Sequence, residues 1–141
     1  EKTSEQIRGL KGACNELESI GDIYYNMATQ LDRKSDDKVW FDQKQRDNLM
    51  SYFDQLKDGH QEMILNLEKG QVKINLTKAI SIEQGIDDTR DKLRKKHLKS
   101  IEKQEYNYKS GLIYNNLFSS IEKIGDYVLS VSEYVSGENL N

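Results

Sequence analysis

A five-residue pattern that occurs twice holds the residues best suited to chemistry. Glu18-Ser19-Ile20-Gly21-Asp22 and Glu122-Lys123-Ile124-Gly125-Asp126 agree at four of five positions, in the order Glu-x-Ile-Gly-Asp. On a helix, residues four apart share a face, and two like charges there repel by roughly a few tenths of a kcal/mol. A cation held by both carboxylates would offset that cost. The alternative is that each pair lies on a solvated helix face.

The glycine inside each copy adds a second signal. Glycine in a helix interior costs about 1 kcal/mol relative to alanine. Gly21 and Gly125 both lie on the apolar stripe of their segment, beside the acids. The repetition therefore indicates a need for space, either for a neighbouring helix that approaches closely or for a bound ion.

A third acidic pair, Glu83 and Asp87, has the same spacing. Glu83 falls on an apolar stripe, where an unpaired charge would be costly. Arg90 is one predicted partner for it, and a metal ion is the other. A site with oxygen ligands only suits Mg, Mn, Ca or iron better than zinc.

The remaining sequence contains none of the common catalytic arrangements. There is no Ser/His/Asp or Cys/His constellation, no phosphate-binding glycine loop and no nucleotide motif. Glu-x-x-His pairs typical of di-iron bundles are missing from suitable positions. We therefore predict that the chain is not an enzyme, and a carboxylate-bridged metal enzyme ranks last among the alternatives. The net charge of -3 argues against nucleic acid as a partner.

The elements that carry these residues are predicted to be long helices. The 141 residues include no proline, where average usage predicts about seven. No segment alternates as a strand would, and no apolar run approaches the ~20 residues of a membrane span. We predict an all-α fold, a single domain over residues 1–141. It is an up-down-up-down bundle of four long antiparallel helices, at about 4–34, 36–69, 73–108 and 112–135.

Apolar spacing predicts which face of the first helix lies in the core. Its stripe follows a 3-4-3-4 pattern typical of a bundle seam: Ile7, Leu10, Cys14, Leu17, Gly21, Tyr24, Ala28 and Leu31. Ser35-Asp36-Asp37 is predicted to cap the second helix. Lys109-Ser110-Gly111 is predicted to be the turn before the fourth helix.

A basic run within residues 92–103 surrounds His97. A solvated helix face is one interpretation. Docking to anionic lipid headgroups or to an acidic protein surface is the other.

At this point the residues resemble a known family. Gly111-Leu112-Ile113-Tyr114 together with Ile121 through Asp126 resembles the final helix of a PhoU-type repeat, which typically shows Leu-Glu-Arg-Ile-Gly-Asp-His. Leu17 through Asp22 resembles the same helix of a preceding repeat. Glu83 and Asp87 resemble the acidic pair on the family's middle helix. Here the signature Arg is Lys123 or Ser19, and the signature His is Tyr127 or Ile23.

The resemblance implies both an architecture and a role. PhoU proteins have two three-helix repeats, and this chain matches the last helix of one repeat plus a complete second one. That arrangement is similar to the cytoplasmic C-terminal region of sodium/phosphate cotransporter family proteins. It implies a soluble regulatory domain on the cytoplasmic side of the inner membrane. The implied partner is the transmembrane phosphate-transport domain of the same full-length protein, which it would contact to regulate phosphate transport.

The resemblance also implies a cofactor. Iron or another divalent metal would bind the paired acids, here Glu18, Asp22, Glu83, Asp87, Glu122 and Asp126. The alternative function is a plain helical interaction or scaffold module with no metal or phosphate role. Because the chain begins at Glu1 and not at Met, we expect it to be a piece of a longer protein. Truncation would expose the apolar side of the first helix, so we also predict a homodimer.

Overall fold

Four helices make up the part of the chain that the computed structural model describes, residues 2–70 and 74–137. They are α1 (Lys2–Asp36), α2 (Gln43–Lys69), α3 (Thr77–Glu102) and α4 (Tyr108–Ser136). The described residues contain no strand, and the predicted all-α bundle is confirmed. None of these helices combines the length and the apolar character needed to cross a membrane.

Contacts between the helices establish an up-down-up-down topology. Arg90 of α3 pairs with Glu122 of α4, while Gly111 near the start of α4 lies against His97 near the end of α3. α3 and α4 are therefore antiparallel, and so are α1 and α4 and α2 and α3. α2 and α4 are therefore parallel, and an Asn66–Ser132 hydrogen bond of 3.0 Å links them near their C-terminal ends.

α4 is the central helix of the bundle. It packs against all three others, whereas α1 packs mainly on α4. Its inward side chains are fully buried, among them Phe118, Ile121, Ile124 and Val131. Tyr52 and Leu56 of α2 complete the centre of the core. α4 can be surrounded because it carries few charges along its length.

The start of α2 differs from the sequence prediction. α1 continues through Asp36, so Ser35-Asp36-Asp37 does not begin the second helix. Asp42 caps α2 instead: its Oδ1 accepts from the Gln45 backbone N–H at 2.7 Å, and Gln45 Oε1 accepts from the Asp42 N–H at 2.9 Å. Burial of Val39 and Phe41 holds the connection in place, and this packing decides between two segments with similar capping chemistry.

The boundary between α3 and α4 also differs from the prediction. α3 ends at Glu102, and Asn107 caps α4 by accepting from the Ser110 N–H at 2.8 Å. Lys109-Ser110-Gly111 is therefore helical rather than a turn. Gly111 lies in a close contact, where a Cβ would be 2.9 Å from Ile101 Cδ1 and 3.0 Å from the Tyr106 ring.

The predicted inward stripe of α1 is wrong. Its eight residues, from Ile7 to Leu31, are all exposed. α1 instead buries Gly9, Ala13, Ile20 and Met27 against α4. Small residues allow this contact, since the Tyr134 ring lies directly over Gly12. The helix thus has two apolar faces, and the one with the more regular spacing is not the one in the core.

Candidate carboxylate site between α3 and α4

Three of the six predicted site residues come together where α3 packs on α4. Glu83 and Asp87 of α3 and Asp126 of α4 each offer an oxygen, and these oxygens all lie within 4.8 Å of one another. Glu83 and Asp87 are half-buried, and Asp126 is exposed. The carboxylate cluster therefore lines a groove that solvent reaches from the Asp126 side.

A close helix contact positions this cluster. A Cβ on Gly125 would lie 3.1 Å from Ile86 Cγ2 and 3.2 Å from Ile86 Cδ1. Ile86 lies between Glu83 and Asp87 on α3, and Gly125 directly precedes Asp126 on α4. The glycine thus lets the two acidic segments approach, which confirms the predicted need for space at this copy of the motif.

Burial and neighbouring acids favour the protonated form of Glu83. Loss of solvent raises the pKa of Glu83 to about 8, and its contacts with Asp87 and Asp126 contribute in the same direction. Asp87 Oδ1 is buried without a hydrogen-bond partner. The cluster therefore holds a buried oxygen that lacks a donor, and a cation would satisfy it in place of the Glu83 proton.

Glu122 lies one turn before Asp126 but has a different partner. Arg90 Nη1 donates to Glu122 Oε1 at 2.7 Å, and both side chains are largely shielded from solvent. Burial and Asp126 raise the pKa of Glu122 to about 7, with Arg90 acting in the opposite direction. Arg90, which the sequence pointed to as the partner of Glu83, thus neutralises Glu122 and borders the cluster.

The other copy of the motif lies elsewhere. Glu18 and Asp22 are exposed on α1, outside the cluster, and a Cβ on Gly21 would meet nothing within 4 Å. The explanation is the position of each helix in the bundle. α4 is surrounded, so Ile124 and Gly125 are both buried, whereas α1 is peripheral and buries Ile20 but not Gly21.

Sequence reasoning missed a tyrosine that supports the site. The hydroxyl of Tyr52 donates to the Ile86 backbone carbonyl at 3.0 Å, and Tyr52 is fully buried. Burial raises the pKa of Tyr52, and the charge of Glu122 adds to that effect. Tyr52 thus fixes α2 against the turn of α3 that carries Glu83 and Asp87. The available signal was its spacing, which places it between Leu49 and Leu56 on the apolar stripe of α2.

Comparisons with protein-family models, curated proteins and solved structures found no match to this chain.

Proposed function

We propose that this chain is a regulatory helical module that responds to divalent cations and belongs to a sodium-dependent phosphate transport system. The observation that supports the cation site is the convergence of Glu83, Asp87 and Asp126 on both sides of the Gly125–Ile86 contact. Carboxylate oxygens alone favour hard cations such as Mg²⁺, Mn²⁺, Ca²⁺ or Fe²⁺.

Cation binding has a mechanical consequence in this proposal. Two ligands come from α3 and one from α4, so a bound ion would cross-link the two helices. When bound, the ion supplies positive charge that replaces the proton on Glu83. Arg90 already neutralises Glu122, so the three carboxylates of the cluster are left for the ion. The regulatory signal is then the stiffness of the α3–α4 pair.

The assignment to phosphate transport rests on the resemblance of the two Glu-x-Ile-Gly-Asp segments to PhoU-type repeats. By that resemblance the module contacts the transmembrane phosphate-transport domain of its own full-length protein at the cytoplasmic face of the inner membrane. Regulation would then proceed by protein–protein contact, without catalysis by the module.

A titration with Mn²⁺ tests the cation site. We expect the electron paramagnetic resonance signal of free Mn²⁺ to lose intensity when the protein is added. Glu83→Gln with Asp126→Asn is expected to weaken binding at least about tenfold. Glu18→Gln with Asp22→Asn is the matched control, because it removes the same residue types from the exposed copy of the motif. Equal losses in the two double variants, or no binding by the parent chain, would contradict the proposal.

Phosphate uptake tests the biological assignment separately. In cells from which the full-length gene has been deleted, complementation with the parent gene should restore sodium-dependent uptake of radiolabelled phosphate. The gene carrying Asp126→Asn should restore uptake with altered dependence on external phosphate. Uptake that never depends on this gene would remove the transport assignment and leave the cation site intact.

A plain interaction or scaffold module is the second candidate, and the exposed apolar face of α1 favours it. Under that alternative the carboxylates bind nothing, and Mn²⁺ would affect neither the melting temperature nor any partner contact.

A further inference from the structure

The most prominent surface feature outside the carboxylate cluster is the exposed apolar face of α1. We call it the α1 seam. It comprises eight residues: Ile7, Leu10, Cys14, Leu17, Gly21, Tyr24, Ala28 and Leu31. Ile7 is 63% exposed and Leu10 is 58% exposed, whereas Leu17 is 37% and Tyr24 36% exposed, and the Tyr24 hydroxyl also hydrogen-bonds to His60 of α2. Spacing that alternates between three and four residues over four heptads is the pattern by which one helix packs along another.

We propose that the α1 seam is a homodimer interface, in which α1 pairs with α1 of a second copy as an antiparallel coiled coil. This inference uses no part of the proposed cation or phosphate role. Its occupant is identified by the sizes of the residues along the seam.

Large and small residues of the seam complement each other when the helices run in opposite directions. A two-fold axis beside residue 19 places every seam residue opposite another. The layers are Ile7 with Leu31, Leu10 with Ala28, Cys14 with Tyr24, and Leu17 with Gly21, each formed twice. Three of the four layer types place a small side chain against a large one, which fills space evenly.

Other arrangements pack less well. A parallel pair would stack Cys14, Gly21 and Ala28 on their own copies, leaving voids, and voids of this kind are costly. Shifting the antiparallel pair by one heptad reduces the number of layers from eight to six. The open space at Gly21, where a Cβ would meet nothing within 4 Å, faces Leu17 of the second copy in this antiparallel register and a second Gly21 in a parallel pair.

Charges at the two ends of the seam favour antiparallel pairing, whereas the exposed Glu18 and Asp22 near residue 19 oppose association in either direction. Lys11 lies near its beginning and Asp32 near its end, both exposed. Antiparallel pairing brings Lys11 of one copy to the same end as Asp32 of the other. Parallel pairing would bring each charge next to its own copy, and like charges at flanking positions oppose association.

The size of the seam sets the expected affinity. Residues 7–31 extend roughly 36 Å at 1.5 Å per residue, and a helix is about 10 Å wide. The apolar strip is therefore comparable with the largest patches found on monomers, which are often binding surfaces. It is small for a permanent dimer, so we expect a dissociation constant of about 1–50 μM.

Analytical ultracentrifugation from about 1 to 300 μM tests the dimer. The parent chain should shift from monomer to dimer across this range. Gly21→Glu should weaken the dimer at least about 30-fold, because it places an unpaired charge against Leu17 of the second copy. The open space around Gly21 leaves the fold intact, which circular dichroism and melting at 1 μM would verify.

Gly85→Glu is the matched control, since Gly85 lies on α3 and its Cβ would also meet nothing within 4 Å. It should dimerise as the parent chain does. A parent chain that stays monomeric at 300 μM, or equal effects of the two substitutions, would overturn the proposal.

Cross-linking tests the direction of pairing. The lone Cys14 is exposed, and in the antiparallel register it faces Tyr24 of the second copy. With oxidised glutathione as the oxidant, Tyr24→Cys should give dimers whose disulfides join residue 14 to residue 24, as mapped by mass spectrometry. Dimers joined from Cys14 to Cys14 in the parent chain would overturn the antiparallel register.

Discussion

At the scale of single residues, Glu83 couples the carboxylate cluster to pH. Its pKa is raised to about 8 by burial first and by neighbouring acids second, against about 4.3 for an unperturbed glutamate. Between these two values the folded chain binds more protons than the unfolded chain. The free energy of unfolding therefore falls as pH rises through that window.

The prediction is that the parent chain melts at a lower temperature at pH 9 than at pH 6. Glu83→Gln keeps the uncharged shape of the side chain, so it should remove the larger part of this difference. Glu122, with its pKa near 7, retains the remainder. Differential scanning calorimetry at pH 5, 6, 7, 8 and 9 measures the effect. A parent chain that gains stability from pH 6 to pH 9 would contradict the role assigned to Glu83.

Arg90 gives a second prediction at this scale. Arg90→Gln should lower the free energy of unfolding by about 1–2 kcal/mol, because it leaves the shielded Glu122 carboxylate without its charged donor. Urea unfolding measures the change. Arg94→Gln on the exposed side of the same helix is the control and should stay within about 0.5 kcal/mol.

The acids themselves could be predicted from the sequence, but their partners could not. Spacing predicted three separate acidic pairs, because residue types and helix faces are local properties, and the family resemblance joined all six acids without showing that only Glu83, Asp87 and Asp126 would meet. The pairing of Arg90 with Glu122 depends on the relative height of two helices, which no local pattern encodes. For the same reason the sequence could not separate the buried copy of the repeated motif from the exposed one.

At the scale of the element, the two motif glycines predict opposite responses to the same substitution. Gly21→Ala, measured at dilute protein concentration, should stabilise the fold by about 0.5–1 kcal/mol, since α1 gains helix propensity at no steric cost. Gly125→Ala should destabilise it by about 1–2 kcal/mol, because Ile86 is 1% exposed and has no room to move. Chemical denaturation measures the change in the free energy of unfolding of each variant. Changes of the same sign would show that α3 and α4 are less closely packed than described.

The sequence predicted which segments form helices, but it did not predict where those helices end. The apolar residues of α4 recur at helical spacing in the sequence, and four of them, Tyr114, Leu117, Ile121 and Val128, are buried. The end of α3 was misplaced because Ser110 and Gly111 have the composition of a turn, whereas here they fill a close contact inside α4. Residue types that suit both turns and tight packing give the same local signal.

At the scale of the whole molecule, the bundle divides into a well-buried unit and a peripheral helix. α2, α3 and α4 contact one another, whereas α1 relies mainly on α4. A hydrogen bond of 2.7 Å between the Tyr24 hydroxyl and His60 Nε2 provides a link from α1 to α2. Apolar spacing predicted four helices, but it could not show that one of them would leave a regular apolar face exposed.

This division predicts unequal hydrogen exchange. At 1 μM, amides in the middle of α1 should exchange through openings of lower free energy than those of α4, because α1 can detach while the other three helices keep their core. Mass spectrometry of peptides from each helix measures the difference.

The same experiment at 300 μM connects the whole molecule to the α1 seam. A second copy would cover the seam, so protection should rise within residues 7–31 and stay unchanged in α3. Gly21→Glu should abolish that rise while leaving the exchange at 1 μM as it is in the parent chain. Uniform exchange across all four helices at 1 μM would instead mean that α1 opens at no lower free energy than the other three helices.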